Sequence, residues 1–180
     1  PILPTPTIGM IGIVKDIQKV CTAGFKDNGD IIILLGQNIA DDGLPKLDLE
    51  MEKKVQKTCL AAIQLGIVKS AHDLSEGGLG VALAECVIFS GKGALINLTD
   101  KLKDADLLFG EGQSRILLTV SPENIFSLND LAMLNSVPST IIGKVKGKSL
   151  VVYKKNKKLI QVLGTKLKKN YEGALPALLR

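Results

Sequence analysis

The sequence predicts an α/β (α+β) fold, one mixed sheet packed with helices in a sandwich, and three observations lead there. Strand-like and helix-like segments alternate at first, and a β-meander closes the chain. The composition is globular: 46% hydrophobic and 23% charged residues in a chain of 180, long enough to bury roughly 70% of its unfolded surface. No apolar run approaches the ~20 residues of a membrane span and no signal peptide opens the chain, so no membrane partner is expected.

The elements follow in order. Pro4-Thr5-Pro6-Thr7 cannot be helical, because proline fixes φ and holds its predecessor extended. Ile8 to Val14 then reads as a strand whose glycines imply close backbone packing. Asp27-Asn28-Gly29-Asp30 is a turn, and Ile31 to Gly36, continuously apolar, reads as a buried central strand. Residues 37–47 are polar loop. From Leu49 to Leu65, Met51, Val55, Cys59, Leu60, Ala62 and Ile63 recur at helical spacing, and Gly66 ends that helix. A strand over Ile67–Ala71 delivers His72 and Asp73 to a strand end, and a second helix runs from Leu79 to Gly91. Strands are expected at Ala94–Leu98 and Arg115–Val120, then a helix opened by Ser121-Pro122-Glu123. Ser139–Val145, Leu150–Tyr153 and Leu159–Val162 read as the closing strands, and a last helix covers 163–171.

Several function classes drop out. One His and three widely spaced Cys exclude a zinc finger, a His-rich metal centre and a disulfide scaffold. Cys21, Cys59 and Cys86 lie in apolar stretches and read as buried thiols of a reducing, cytoplasmic compartment. No phosphate-cradling glycine loop is present, and the lone His has no nucleophile constellation around it. Charge is uneven: residues 1–143 carry 12 Lys and Arg against 17 Asp and Glu, whereas residues 144–180 carry 11 against 1. The only aromatics of that basic end are Tyr153 and Tyr171, and its lysines alternate with Leu, Ile and Val. It reads as the solvated face of a terminal hairpin and helix, with no nucleic-acid partner. The chain opens on Pro1 rather than Met and reads as a piece of something longer.

Two segments carry candidate chemistry. In His72-Asp73-Leu74-Ser75-Glu76-Gly77-Gly78 a strand ends and a helix begins at once. Ser75 is placed to cap that helix and Glu76 to complement its dipole. Gly77 and Gly78 in a first turn cost about 1 kcal/mol each relative to Ala. That cost implies either a ligand against the backbone, at a helix N-terminus suited to anions, or a tightly packed neighbouring chain segment. Spacing leaves the two open. The second segment is Phe109-Gly110-Glu111-Gly112-Gln113-Ser114-Arg115, where Gln113 and Arg115 share a face if the strand has already begun. It offers a carboxylate, an amide and a guanidinium to a polar ligand, or an internal Glu111–Arg115 ion pair that pins a loop. Asp41-Asp42 and Asp104–Asp106 read as solvated clusters in loops or helix ends.

The run Lys69 to Leu79, followed by Val81-Ala82-Leu83-Ala84-Glu85, resembles the second C-terminal-type domain of the synthetase subunit of phosphoribosylformylglycinamidine synthase. That family lies in the superfamily of aminoimidazole ribonucleotide synthetase. Thr5-Pro6-Thr7-Ile8-Gly9-Met10-Ile11-Gly12, Gly29-Asp30, Phe109 to Arg115 and Gly173-Ala174-Leu175-Pro176 fit in the same order, so the likeness spans nearly the whole chain. The resemblance implies one C-terminal-type domain over residues 1–180, from an ATP-dependent C–N ligase of purine biosynthesis. That enzyme converts formylglycinamide ribonucleotide to the amidine with Mg²⁺ and glutamine-derived ammonia. It also implies a tandem duplication whose catalytic His and most nucleotide ligands lie in N-terminal-type domains, so no catalytic residue is expected here and the domain alone is inactive. Partners implied are those N-terminal-type domains of the same parent chain, a glutaminase subunit and a small bridging subunit. By internal duplication Glu111-Gly112-Gln113 takes the place of a substrate-contacting Glu-Ser-Gln motif, and Asp73 that of a Mg²⁺-binding Asp. His72, Ser75, Gly77, Gly78 and Arg115 complete the nucleotide- or substrate-binding set. The alternative is a non-catalytic nucleotide-binding or scaffold module that docks partner domains. The family has a longer loop with a Gly-Gly-Ser-Glu motif where this chain has only Gln37 to Asp48, through a shortened loop or through residues missing from the chain as given.

Overall fold

The computed structural model describes residues 8–39 and 47–179. The Pro4–Thr7 segment and most of the polar loop, with Asp41-Asp42, lie outside the described residues.

Period-two alternation in the strands builds the core. In β1 (Ile31–Leu35), Ile32 and Leu34 enter one apolar cluster, while Ile33 and Leu35 enter another on the opposite face. The remaining elements are α1 (Leu49–Gln64), β2 (Val68–Asp73), α2 (Gly78–Ser90), β3 (Ala94–Leu98), α3 (Asp104–Phe109), β4 (Ile116–Val120), α4 (Ile125–Leu134), β5 (Ser139–Val145), β6 (Ser149–Lys154), β7 (Lys157–Leu163) and α5 (Gly164–Leu178). Among the described residues the sheet has seven strands in the order β2-β4-β1-β5-β3-β6-β7, with β3 and β6 parallel and every other pair antiparallel. Helices α2 and α3 pack on one face through Leu79, Leu83, Val87 and Leu107. Helices α1 and α4 cover the other through Val55, Cys59, Ala62, Leu128 and Ala132. The expected mixed-sheet sandwich is what forms, with β1 near its centre.

Helix ends follow local chemistry. Asp48 caps α1, its side chain accepting from the backbone N–H groups of Glu50 and Met51 at 3.0 Å. The chain leaves that helix through Gly66, at φ +71°. Cys59 and Cys86 are buried, and burial pushes their thiols up to about 11 and about 12; Cys21 is half-buried and also raised by burial.

Three expectations need correction. Residues 8–14 form no strand; Ile8, Met10, Ile11 and Ile13 are almost fully exposed, and nothing lies within 4 Å of where a Cβ on Gly9 or Gly12 would sit. The nearby sheet edge is β2, and a different residue meets it: Thr22 bridges Ser70, and its carbonyl accepts from Ala71 N–H at 3.2 Å. An apolar strand sequence with no ladder to join stays unpaired. Second, the closing strands make no meander: β3 lies between β5 and β6 and runs parallel to β6, so only β6 and β7 pair as a hairpin. Third, α5 continues to Leu178, past Gly173 and with Pro176 inside it. Its apolar spacing through Leu167, Tyr171, Leu175 and Leu178 outlasts the two breakers.

Candidate functional site

Pairing of β2 with β4 fixes the site. In that register Asp73 lies opposite Ile116, so the turn leaving β2 and the loop entering β4 open side by side. Between them is a cleft of about 400 Å³, lined by Asp73, Leu74, Ser75 and Glu76 from the turn and by Glu111, Gln113, Ser114 and Arg115 from the loop. Glu52 and Gln56 of α1 close a third side. A larger hollow of about 700 Å³ lies between residues 13–21 and α1, but Leu60, Ile63, Ile13 and Val14 make much of its wall apolar.

The turn is shaped by glycine. Gly77 is the N-cap of α2 at φ +79° and Gly78 its first residue at φ +62°, both left-handed. A Cβ on Gly78 would stand 2.5 Å from the Gly110 carbonyl oxygen and 3.0 Å from the Phe109 carbonyl carbon. Of the two readings that spacing left open for this glycine pair, the structure supports close packing by a neighbouring segment of the same chain. Ser75 is not the cap: its carbonyl accepts from Gly78 N–H at 3.1 Å, and no side chain caps α2 in the ordinary way. The cause is that two left-handed residues delay the helix start beyond reach of the Ser75 side chain. The carboxylate at the α2 terminus comes from across the cleft, where Glu111 Oε1 accepts from Gly77 N–H at 2.8 Å.

The loop is shaped by side chains. Arg115 is buried and donates from Nε to the Gly112 carbonyl at 2.8 Å, from Nη2 to the Gly110 carbonyl at 2.6 Å and from Nη1 to Asn38 Oδ1 at 2.9 Å. Ser114, at φ +60°, donates its hydroxyl to Glu52 Oε2 at 2.6 Å. Because the strand begins only at Ile116 and Ser114 is left-handed, Gln113 and Arg115 do not share a face: Gln113 is exposed and Arg115 is buried.

His72 points elsewhere. Its Nε2 lies 2.9 Å from Glu85 of α2 and its Nδ1 2.7 Å from the Asp73 carbonyl, so it ties strand to helix outside the cleft. Asp73 carries an exposed carboxylate, 3.6 Å from His72 Nδ1. The structure therefore brings Asp73, Ser75, Glu111, Gln113 and Arg115 to one cleft, with Gly77 and Gly78 beneath it and His72 outside. Sequence reasoning missed Glu52, Gln56, Ser114 and Asn38. Glu52 and Gln56, four apart on one face of α1, are joined by a hydrogen bond of 2.6 Å, but nothing in that spacing says which wall they build.

The model of the family described as AIR synthase related protein, C-terminal domain, matches residues 27–155. The chain belongs to that family. The matched stretch holds all seven strands except β7, and both walls of the cleft. Curated relatives of this family member include the phosphoribosylformylglycinamidine synthase subunit PurL of Alkaliphilus metalliredigens, 39% identical over 98% of this chain, and that of Moorella thermoacetica, 39% identical over 99%. The chain spans only 26% of the length of each. Among solved structures, T. maritima PurL complexed with ATP superposes with a TM-score of 0.77 at 21% identity, over 84% of this chain and 28% of that one. The E. coli hydrogenase maturation protein HypE gives a TM-score of 0.56 at 17% identity, over 78% of this chain and 52% of that one. The fold is thus shared beyond the closely similar relatives. Among the described residues no helix is long and apolar enough to cross a membrane.

Proposed function

We propose that residues 1–180 are one C-terminal-type domain of a longer, cytoplasmic phosphoribosylformylglycinamidine synthase. The parent joins ammonia from glutamine to formylglycinamide ribonucleotide at the expense of ATP, and this domain has no turnover alone. The observation that carries this reading is the cleft: the turn after Asp73 and the loop from Glu111 to Arg115, far apart in sequence, form its two walls. Those are the segments that the family likeness singles out for metal and substrate. The chain's share of its relatives, about a quarter, supports a missing catalytic part supplied by N-terminal-type domains of the parent, with a glutaminase and a small bridging subunit as further partners.

The lining decides what the cleft takes. Glu52, Asp73, Glu76 and Glu111 are carboxylates, and the guanidinium of Arg115 is engaged with backbone carbonyls. A bare phosphate would meet negative charge; a nucleotide carrying its cation would not. Among the described residues no three Asp, Glu, His or Cys side chains converge as a metal cage. The exposed Asp73 carboxylate instead suits a Mg²⁺ that keeps most of its waters and takes its other ligands from phosphates. Bound there, such an ion would supply charge neutralisation for the phosphates; Asp73 would hold it and Glu111 would keep the α2 turn in place.

Calorimetric titration with ADP, with and without Mg²⁺, tests the binding part. Saturable Mg²⁺-dependent heat that disappears in Asp73→Asn supports it, and an unchanged affinity in that variant refutes the role of Asp73. Amidine formation by the 180-residue chain alone would refute the claim of inactivity. A second reading, a scaffold module that docks partner domains, is favoured by the apolar side chains that Ile8, Ile11, Leu175 and Leu178 leave exposed. A monodisperse monomer with no affinity for the rest of the parent would count against it.

A further inference from the structure

Arg115 offers more than a place in the cleft wall, and the observations carry it to a different role from the one its charge suggests. Its three donating nitrogens reach the Gly110 and Gly112 carbonyls and the Asn38 side-chain oxygen, at 2.6 to 2.9 Å. The two carbonyls flank Glu111, so the guanidinium grips the loop on both sides of the residue whose carboxylate crosses to Gly77. Asn38 in turn donates to Asp100 Oδ1 at 3.2 Å, which anchors the grip on the segment between β3 and α3. The backbone carbonyl of Arg115 accepts from Leu74 N–H at 3.0 Å. One residue therefore ties both walls of the cleft to each other and to the body of the sheet.

We infer that Arg115 is a positioning residue, which sets the pose of Glu111 and Gln113 toward whatever the cleft binds and does not itself contact that ligand. A guanidinium suits this task because its planar fork serves separated acceptors at fixed angles; an ammonium is a single point with three donors and cannot reproduce that geometry. Gly36 lets the loop pack directly on the end of β1, since a Cβ there would stand 2.1 Å from the Ser114 carbonyl oxygen. The loop thus has a rigid wall behind it and a brace within it, and the side chains left to face ligand are Glu111 and Gln113. This inference deepens the proposed function and rests on it for the identity of the ligand, but not for the mechanics of the brace.

The test uses the full-length synthetase that contains this chain, with Arg115→Lys and Asn38→Ala compared with the unaltered protein. Amide hydrogen exchange across residues 110–114 reads the brace, and KM for Mg-ATP, the class of ligand proposed for the cleft, against kcat reads its consequence. In Arg115→Lys, exchange of those amides should speed on the order of tenfold or more, KM should rise by a similar factor, and kcat should change far less. Asn38→Ala, which removes one acceptor, should move both quantities in the same direction by less, and it decides the matter if the lysine variant fails to fold. A raised KM with unchanged exchange would overturn the inference, because it marks direct contact with ligand. Faster exchange with KM and kcat unchanged would overturn it too, since the pose would then not matter. Absence of amidine formation by the unaltered enzyme would instead refute the proposed function, and the exchange comparison would still decide whether Arg115 braces the loop.

Discussion

The two walls of the cleft are held by different means. The turn between β2 and α2 is held by backbone: two left-handed glycines, a carbonyl accepting from Gly78, and a contact so close that no Cβ fits. The loop between α3 and β4 is held by side chains: Arg115 within it, Glu52 on Ser114 from α1, and Asn38 behind. A wall built from backbone tolerates almost no substitution at its glycines but is indifferent to neighbouring side chains. A wall built from side chains can be loosened by degrees. The contact between them, Glu111 on Gly77 N–H, joins a tunable part to a fixed one.

The largest effect should come from the fixed wall. Gly78→Ala places a Cβ against the backbone of Phe109 and Gly110 and keeps a left-handed φ, so neither partner can yield cheaply. We expect a loss of about 3 kcal/mol, read from the urea midpoint at constant slope. Gly77→Ala should cost less, about 2 kcal/mol, because its Cβ would meet the Val81 side chain, a methyl at 2.3 Å and the Cβ at 2.8 Å, rather than backbone. Equal losses at the two positions would show that the Val81 side chain confines the turn as firmly as the Phe109–Gly110 backbone does.

How much of this was legible in the sequence differs in the same way. The Gly77-Gly78 pair marked an unusual turn because only glycine tolerates that conformation, so residue identity carried the geometry. The central strand and the end of α1 at Gly66 were equally plain, since periodicity and turn residues encode them. Arg115 was not legible. A guanidinium beside glycines reads as a ligand contact or as an ion pair with Glu111, and no spacing shows that it binds carbonyls of its own loop and the side chain of Asn38. Ile8–Val14 failed for a related reason: strand propensity is local, but a strand exists only if an edge is free to receive it, and Thr22 meets the β2 edge. Glu52 joined the cleft through tertiary packing of α1, for which one helix face has no sequence signal.

A smaller effect should come from the contact between the walls. Glu111→Gln keeps an oxygen to accept from Gly77 N–H and removes only the charge at the α2 terminus, so we expect about 0.5 kcal/mol, diminished by salt. Glu111→Ala removes the acceptor as well and should cost about 1 kcal/mol, still well short of Gly78→Ala. Thermal melts of the two variants over a salt series check both the order and the salt dependence. A Glu111→Ala loss as large as that of Gly78→Ala would mean that the turn is held from across the cleft and not by its own glycines.

The smallest effect lies at the far end of α3. That helix begins at Asp104, whose carboxylate accepts from Lys154 Nζ and Lys157 Nζ, each at 2.8 Å, and ends in the Phe109–Gly110 backbone that packs on Gly78. Hydrogen bonds from Lys154 and then Lys157 hold the Asp104 carboxyl at about 2, below its ordinary 3.8. With the folded value below the unfolded one, the stabilisation is complete above pH 3.8 and is lost as pH falls through about 2. The group is exposed, so the dependence should be shallow and should shrink with salt. Asp104→Asn should flatten the melting temperature against pH below 3.8 while leaving hydrogen exchange of residues 110–114 unchanged, because the cleft end of α3 is fixed by Gly78 and Arg115 and not by its first turn. Loosening of that loop in the variant would show instead that α3 transmits the lysine anchor along its length, and that the side-chain wall begins at the hairpin.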